Sequence, residues 1–269
     1  MQTEDKAGEK YWTKVWEETP MPDSFDFTSK NINHYPNALF HNLFETILKD
    51  KKGSNIKLLE IGCGNSVFLS YFSKNYGYEV YGIDYSAVGC EQTRKILIRD
   101  GLIGTIVQAD AFAPPAELLG KFDVVCSFGV VEHFENTSET IYAFSKFLKP
   151  GGILITSIPN LAGVTGILQK YFNKPVYDIH VPMDKTQLND AISRAGLLLT
   201  FSTYFLPISF AVTLEGIDGK KIPGFRIKKF ILIIIRTISK LIWLIERSIH
   251  PLPAKKLFSG GIMTAAIKN

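Results

Sequence analysis

Cysteine is scarce: the 269-residue sequence has three. Cys63, Cys90 and Cys126 have no metal-type spacing and fall in an expected loop, helix and strand, which excludes a disulfide framework and fits a reduced, cytoplasmic setting. There is no low-complexity tract and 46% of residues are hydrophobic, so disorder is not expected beyond the N-terminus. A large excess of one sign of charge is lacking too, with 30 lysines and arginines against 26 acidic residues and a formal balance of +4. Nothing in the chain has the form of a nucleic-acid-binding module. Met1 to Lys10 is charged and lacks the apolar centre of a secretory signal. The uncharged run Phe230 to Ile235 is far too short to span a bilayer. No His, Cys or carboxylate cluster has ligand spacing, so no metal is expected. What remains is material for one sizeable core.

The chain is organised around Leu58-Leu59-Glu60-Ile61-Gly62-Cys63-Gly64-Asn65-Ser66. Apolar residues run into a turn with two glycines, and Val67, Phe68, Tyr71 and Phe72 follow at helical spacing. The pattern is a buried strand bending sharply into a helix. Such a bend points backbone N–H groups into a crevice, where Gly62 and Gly64 let a ligand approach closely. The dinucleotide fingerprint G-x-G-x-x-G has a third glycine where Val67 stands, which disfavours a nicotinamide-dependent oxidoreductase. The acidic Glu60 lies two residues before the first glycine.

Strand and helix then alternate. Strands are expected over Ile56–Ile61, Glu79–Ile83 with Asp84 at its end, Gly104–Gln108 with Asp110 just beyond, Phe122–Phe128 and Gly152–Ile158, with helices over Ser86–Arg99 and Thr137–Leu148. Leu39, Phe40, Leu43, Phe44, Ile47 and Leu48 mark an earlier amphipathic helix. Asp184 to Ala195, closed by Gly196, marks a later one, followed by strands at Leu197–Phe205 and Gly261–Ile267. This order predicts an α/β fold, a doubly wound, mostly parallel seven-stranded sheet with helices on both faces and an α-helical insertion before the last strand. Ligands belong at the carboxyl ends of such strands.

E-x-G-x-G at Glu60, Gly62 and Gly64, Asp84 after the second strand, Asp110 after the third, Phe122-Asp123-Val124-Val125-Cys126-Ser127-Phe128-Gly129-Val130-Val131-Glu132-His133-Phe134, and Leu148-Lys149-Pro150-Gly151-Gly152 occur in order. Together, over about Lys57 to Asn160, they resemble the motifs of class I S-adenosylmethionine-dependent methyltransferases. The departure is Ser66, where many members have a further glycine. The resemblance implies a Rossmann-like fold and S-adenosyl-L-methionine as cofactor. Glu60 would order the loop, and the backbone of Gly62, Cys63 and Gly64 would hold the amino acid end. Asp84, with Tyr85 beside it, would take the ribose hydroxyls, and Asp110 the adenine amino group, with Ala111, Phe112 and Phe128 packing nearby. N-terminal segments in the superfamily often supply a tyrosine, which makes Tyr11 a candidate; the bland alternative is that Tyr11, Trp12 and Trp16 only cover a helix against the core.

Methyl transfer from a sulfonium needs positioning and, for a hydroxyl acceptor, a base. The candidate bases are His133 and His180. His180, Asn160 and Tyr177 are the candidate substrate contacts, because the segment Asn160 to Met183 is expected to roof the pocket. The expected organisation is a cap at 1–36, a core at 37–206 with its roof at about 160–183, an insertion at 207–258 and a final strand at 259–269. In the insertion, between Arg226 and His250, Lys229, Arg236, Lys240 and Arg247 share one helical stripe. Ile227, Ile234, Ile238, Leu241, Ile245 and Ile249 lie opposite. That apolar face either covers the sheet or pocket, pairs with another subunit, or lies peripherally on a membrane through 225–250. The expected function is methyl transfer to a small-molecule acceptor, favouring an oxygen on a saccharide or lipid-linked metabolite. The alternative is a non-catalytic membrane- or partner-binding module that kept the cofactor fold.

Overall fold

The computed structural model describes residues 4–53, 55–210, 212, 224–248 and 252–269. In chain order the elements are α1 (Glu9–Glu18), α2 (Tyr35–Ile47), β1 (Lys57–Ile61), α3 (Phe68–Tyr76), β2 (Glu79–Asp84), α4 (Ala87–Arg99), β3 (Thr105–Gln108) and β4 (Phe122–Phe128). There follow α5 (Thr137–Ser145), β5 (Leu148–Pro159), α6 (Val164–Phe172), α7 (Lys174–Asp178), α8 (Lys185–Arg194), β6 (Leu197–Phe205), α9 (Phe225–Ser248) and β7 (Gly261–Lys268).

The strands form one seven-stranded sheet in the order β3-β2-β1-β4-β5-β7-β6, in which β7 runs antiparallel between β5 and β6. Alternation along the strands gives each face its own core. Leu59, Ile61, Ile83, Val125 and Leu154 pack under Ile141 and Phe144 of α5 and Leu188 and Ile192 of α8. Leu58, Val80, Val124 and Ile155 pack under Phe44 of α2 and Leu69, Tyr71 and Phe72 of α3. The strand order reverses at β1, between β2 and β4, so the crevice at the carboxyl end of β1 is the ligand position for such a sheet.

Two boundaries differ from the sequence expectation by three residues or more. The helix expected to reach Leu148 stops at Ser145, and β5 starts at Leu148 rather than Gly152. The amides of Gly120, Lys121 and Phe122 take the carbonyls of Lys146 and Phe147, so tertiary pairing draws this stretch out of the helix. The α8 start is as expected: Asp184 caps it, accepting from Gln187 N, while the Gln187 side chain accepts from Asp184 N.

In the insertion, α9 covers most of the expected amphipathic stretch, while Ile249 and His250 lie outside the described residues. Its protein side buries Leu232, Ser239, Trp243 and Glu246, and the isoleucine face points outward. That face therefore covers neither the sheet nor the pocket.

Candidate functional site

The turn after β1 is shaped by what it cannot hold. Gly62 has φ +74°, and a Cβ there would lie 2.5 Å from Val130 Cγ2. A Cβ on Gly64 would meet the Trp16 indole at 2.5 Å and Asp84 Oδ2 at 3.0 Å. Glu60 is buried, and Ser66 Oγ donates to its carboxylate at 2.7 Å while accepting from Phe68 N at 3.0 Å. Burial pushes Glu60 up to about 8 against this hydrogen bond. Ser66, the departure from the motif, thus ties the acidic residue to the start of α3.

Asp84 uses both oxygens on the same loop system. Oδ2 accepts from Gly64 N at 2.9 Å and Oδ1 from Ser86 N at 2.7 Å, while burial raises the carboxyl above its ordinary value. Asp110 accepts from Phe112 N at 2.9 Å, and the Tyr85 hydroxyl donates to Asp5 Oδ2 at 3.1 Å. These groups open into one cavity of about 790 Å³, lined among others by Glu60, Gly62, Gly64, Asp84, Tyr85, Asp110, Ala111, Phe112, Phe128 and His133. Its lining holds six acidic side chains, Glu4, Asp5, Glu9, Glu60, Asp84 and Asp110, and, among the described residues, no lysine or arginine.

The N-terminal segment closes the cavity. Lys6 N donates to His133 O at 2.9 Å and Glu135 N to Glu4 O at 3.1 Å, strapping the chain across the loop after β4. The next turns, α1, then lay Trp12 and Trp16 into the lining. Tyr11 does not line the cavity: Trp12 and Trp16 lie four residues apart on one helical face, and Tyr11 is turned about 100° from Trp12 and packs edge-on against it. The Cys63 side chain is outside the lining too. It is buried in the core, where its Sγ would lie 2.6 Å from a Cβ on Gly82, so only the backbone of Cys63 belongs to the loop.

The expected roof, 160–183, contributes nothing to the lining. Asn160 is buried and its Nδ2 donates to Lys256 O at 2.7 Å and Ser259 O at 2.9 Å, so it pins the segment before β7 instead of facing a substrate. Tyr177 lies under the Lys170 ammonium on the α6–α7 pair, away from the cavity.

His133 and His180 do come together, with ring centroids 4.3 Å apart. Nδ1 of His133 lies 2.8 Å from Ile179 O and Nδ1 of His180 2.5 Å from Val176 O. A carbonyl can only accept, so each ring carries its proton on Nδ1 and leaves Nε2 as an acceptor. Burial, then the neighbouring His180, lowers His133 to about 3, and burial lowers His180 as well. Only His133 reaches the cavity lining; His180 stands behind it.

One donor atom from each of Glu132, His133 and His180 lies within 4.8 Å of the others. Glu132 is buried, with Oε2 unpartnered, and burial pushes it up to about 8. These are the residues that could hold a cation, after closing toward the roughly 3.4 Å edge of a shell with 2.1 Å bonds. Sequence spacing discloses no such cluster, because His133 and His180 stand 47 positions apart.

A family model described as "Methyltransferase domain" matches residues 31–200. The ubiquinone biosynthesis O-methyltransferase of Azoarcus sp. (strain BH72) is 35% identical over 104 residues, covering 39% of this chain and 44% of that protein. The chain thus spans less than half the length of this relative. Among solved structures, a SAM-dependent methyltransferase from Archaeoglobus fulgidus superposes with TM-score 0.53 at 20% identity, covering 86% of this chain and 94% of that one. The geranyl diphosphate C-methyltransferase of Streptomyces coelicolor A3(2), in complex with Mg2+, geranyl diphosphate and S-adenosyl-L-homocysteine, gives 0.59 at 12% identity, covering 97% of each chain.

Proposed function

The chain belongs to the methyltransferase-domain family, and from that membership we propose that it binds S-adenosyl-L-methionine in the cavity beneath α1 and transfers the methyl group to an oxygen of a small molecule, a saccharide or a lipid-linked metabolite. The observation that carries the cofactor reading is the lining itself, in which Glu4, Asp5, Glu9, Asp84 and Asp110 stand beside a Glu60 that burial keeps protonated near neutral pH, with no lysine or arginine among the described residues. Such a site repels a dinucleotide's phosphates and suits a ligand bearing a sulfonium and an ammonium. Gly62 and Gly64 leave room at the loop, the Asp84 carboxylate faces the ribose position, and Asp110 with Phe112 bounds the adenine end. Trp12 and Trp16 supply π faces to a cation and cover the cavity against water.

When bound, the cofactor supplies an electrophilic methyl group open to in-line displacement. The protein's part is positioning. A neutral His133, held by Ile179 O, presents Nε2 to accept the hydrogen bond of an acceptor hydroxyl. Its weak basicity suffices only late, because the hydroxyl proton becomes strongly acidic as the new C–O bond forms. His180 packs against that ring, with centroids 4.3 Å apart. Titration calorimetry with S-adenosylmethionine, followed by labelled-methyl transfer to candidate acceptors, tests the reading; a protein that binds the cofactor but methylates none of the saccharides or lipid-linked acceptors offered would remove the acceptor class.

The ubiquinone biosynthesis relative is, by its name, an O-methyltransferase, which agrees with an oxygen acceptor here. A non-catalytic role finds less support, since the residues expected to hold the cofactor still surround an open cavity.

A further inference from the structure

Helix α9 is mounted the wrong way round for a soluble amphipathic helix, which turns its apolar stripe to the core. Its protein side carries polar anchors. Trp243 Nε1 donates to Ile208 O at 2.8 Å, Ser239 Oγ accepts from Phe210 N at 3.1 Å, and Glu246 accepts from Leu252 N at 3.0 Å. The Arg247 guanidinium reaches Ser29 O at 2.9 Å and Lys228 reaches Tyr171 O at 3.1 Å. These bonds fix the rotation of the helix. Ile227, Phe230, Ile234, Ile238, Leu241 and Ile245 consequently stand outward, each 43–67% exposed. At 1.5 Å per residue the 24-residue helix presents this face over about 36 Å.

We propose that α9 docks the protein peripherally on an anionic lipid bilayer, burying its isoleucine face at the acyl–headgroup boundary. Charge selects this occupant. The helix carries Arg226, Lys228, Lys229, Arg236, Lys240 and Arg247 against one acid, Glu246, which is buried. Arg226, Lys229 and Lys240 are exposed on the flank between the apolar face and the protein side, about 80–140° round the helix from the centre of that face, and their long stems let the charges reach toward headgroup level. Two copies paired through the same face would instead bring two such cationic rows together. Among the described residues no helix is long and apolar enough to cross a membrane, so the contact is interfacial.

The position of α9 connects docking to the cavity. It lies in the link between the end of β6 and the start of β7, and the register Pro159–Gly261–Phe205 places both at the carboxyl edge of the sheet, the edge where the cavity lies. A docked molecule therefore brings that edge to the lipid side, where an acceptor held by a lipid tail can reach it; this last step rests on the methyl-transfer reading, whereas docking does not.

The test is flotation of the purified chain with vesicles of phosphatidylcholine alone or with 30 mol% phosphatidylglycerol. The expected result is flotation with the anionic vesicles, weakened by salt, reduced about fivefold for each of Lys229→Gln and Lys240→Gln, and abolished by Ile234→Glu/Ile238→Glu. The substituted isoleucines are exposed and far from the cavity lining, so unchanged circular dichroism and S-adenosylmethionine titration establish that the double variant is folded. No flotation of the intact chain, equal flotation on neutral vesicles, or flotation unaffected by Ile234→Glu/Ile238→Glu would overturn the proposal. So would a dimer in sedimentation velocity that the double variant dissociates, with no vesicle binding. Loss of docking with cofactor titration intact would leave the methyl-transfer reading untouched.

Discussion

Glu60 and Asp84 are both buried carboxylates at the carboxyl edge, and their hydrogen bonds give them different tasks. Glu60 holds one hydroxyl, Ser66, and is otherwise desolvated, so its folded value near 8 stands above the ordinary 4.5. Between those two values the folded chain retains a proton that the unfolded chain releases, so stability falls as pH rises through this window. Glu60→Gln keeps the acceptor for Ser66 and removes the titration; thermal melts at pH 6 and 8 should show a smaller drop in Tm for the variant than for the parent chain. Asp84 instead accepts two backbone amides and still faces the cavity. Asp84→Ala removes the carboxylate proposed for the ribose hydroxyls and leaves Gly64 N and Ser86 N without their partner, and at about 1.5 kcal/mol for each of two charge-assisted hydrogen bonds to the ribose the cofactor Kd should rise on the order of 100-fold. Residues of this kind were legible because each is announced by chain position, two before a glycine or at a strand end. The roles of Asn160 and Tyr11 were not, since the partner of a buried amide and the rotation of a short helix are set by contacts remote in sequence.

At the level of elements, the strands and most helices could be read from period alone, because buried β1, β2, β4 and β5 are short apolar runs and α2, α3 and α8 carry one apolar stripe. The large boundary shift came where another element competed, at Ser145, where the sheet took the carbonyls of Lys146 and Phe147. Helix α9 marks the limit of periodicity: the spacing says which residues share a face, and the anchors at Ile208, Phe210 and Ser29 decide which way it turns. The α8 capping box gives an element-scale expectation. Asp184→Ala should cost about 1 kcal/mol and lower Tm by roughly 2–4 °C, with cofactor affinity unchanged by calorimetry, since Asp184 is outside the cavity lining.

At the scale of the whole molecule, the carboxyl edge of the sheet is completed by a separate strap. The segment from Glu4 to Trp16 joins the loop after β4 through backbone bonds at His133 and Glu135 and adds Trp12 and Trp16 to the lining. Neither core face depends on this segment, whose only buried apolar residue is Val15. A chain lacking residues 1–18 should therefore keep its circular dichroism spectrum while its cofactor Kd rises at least tenfold, read by calorimetry; unchanged affinity would show that the strap is not part of the site. The sequence marked the aromatic stretch but not its destination, because closure joins segments more than a hundred residues apart.

The most direct measurement is calorimetric titration of the full chain with S-adenosylmethionine, S-adenosylhomocysteine and NAD, repeated on Asp84→Ala. Binding of both sulfur compounds, weakened on the order of 100-fold in the variant and with no NAD heat, is the result expected from an acidic cavity with two ordered carboxylates at its strand ends. Binding of NAD in their place, or of none of the three by a folded protein, would contradict the account.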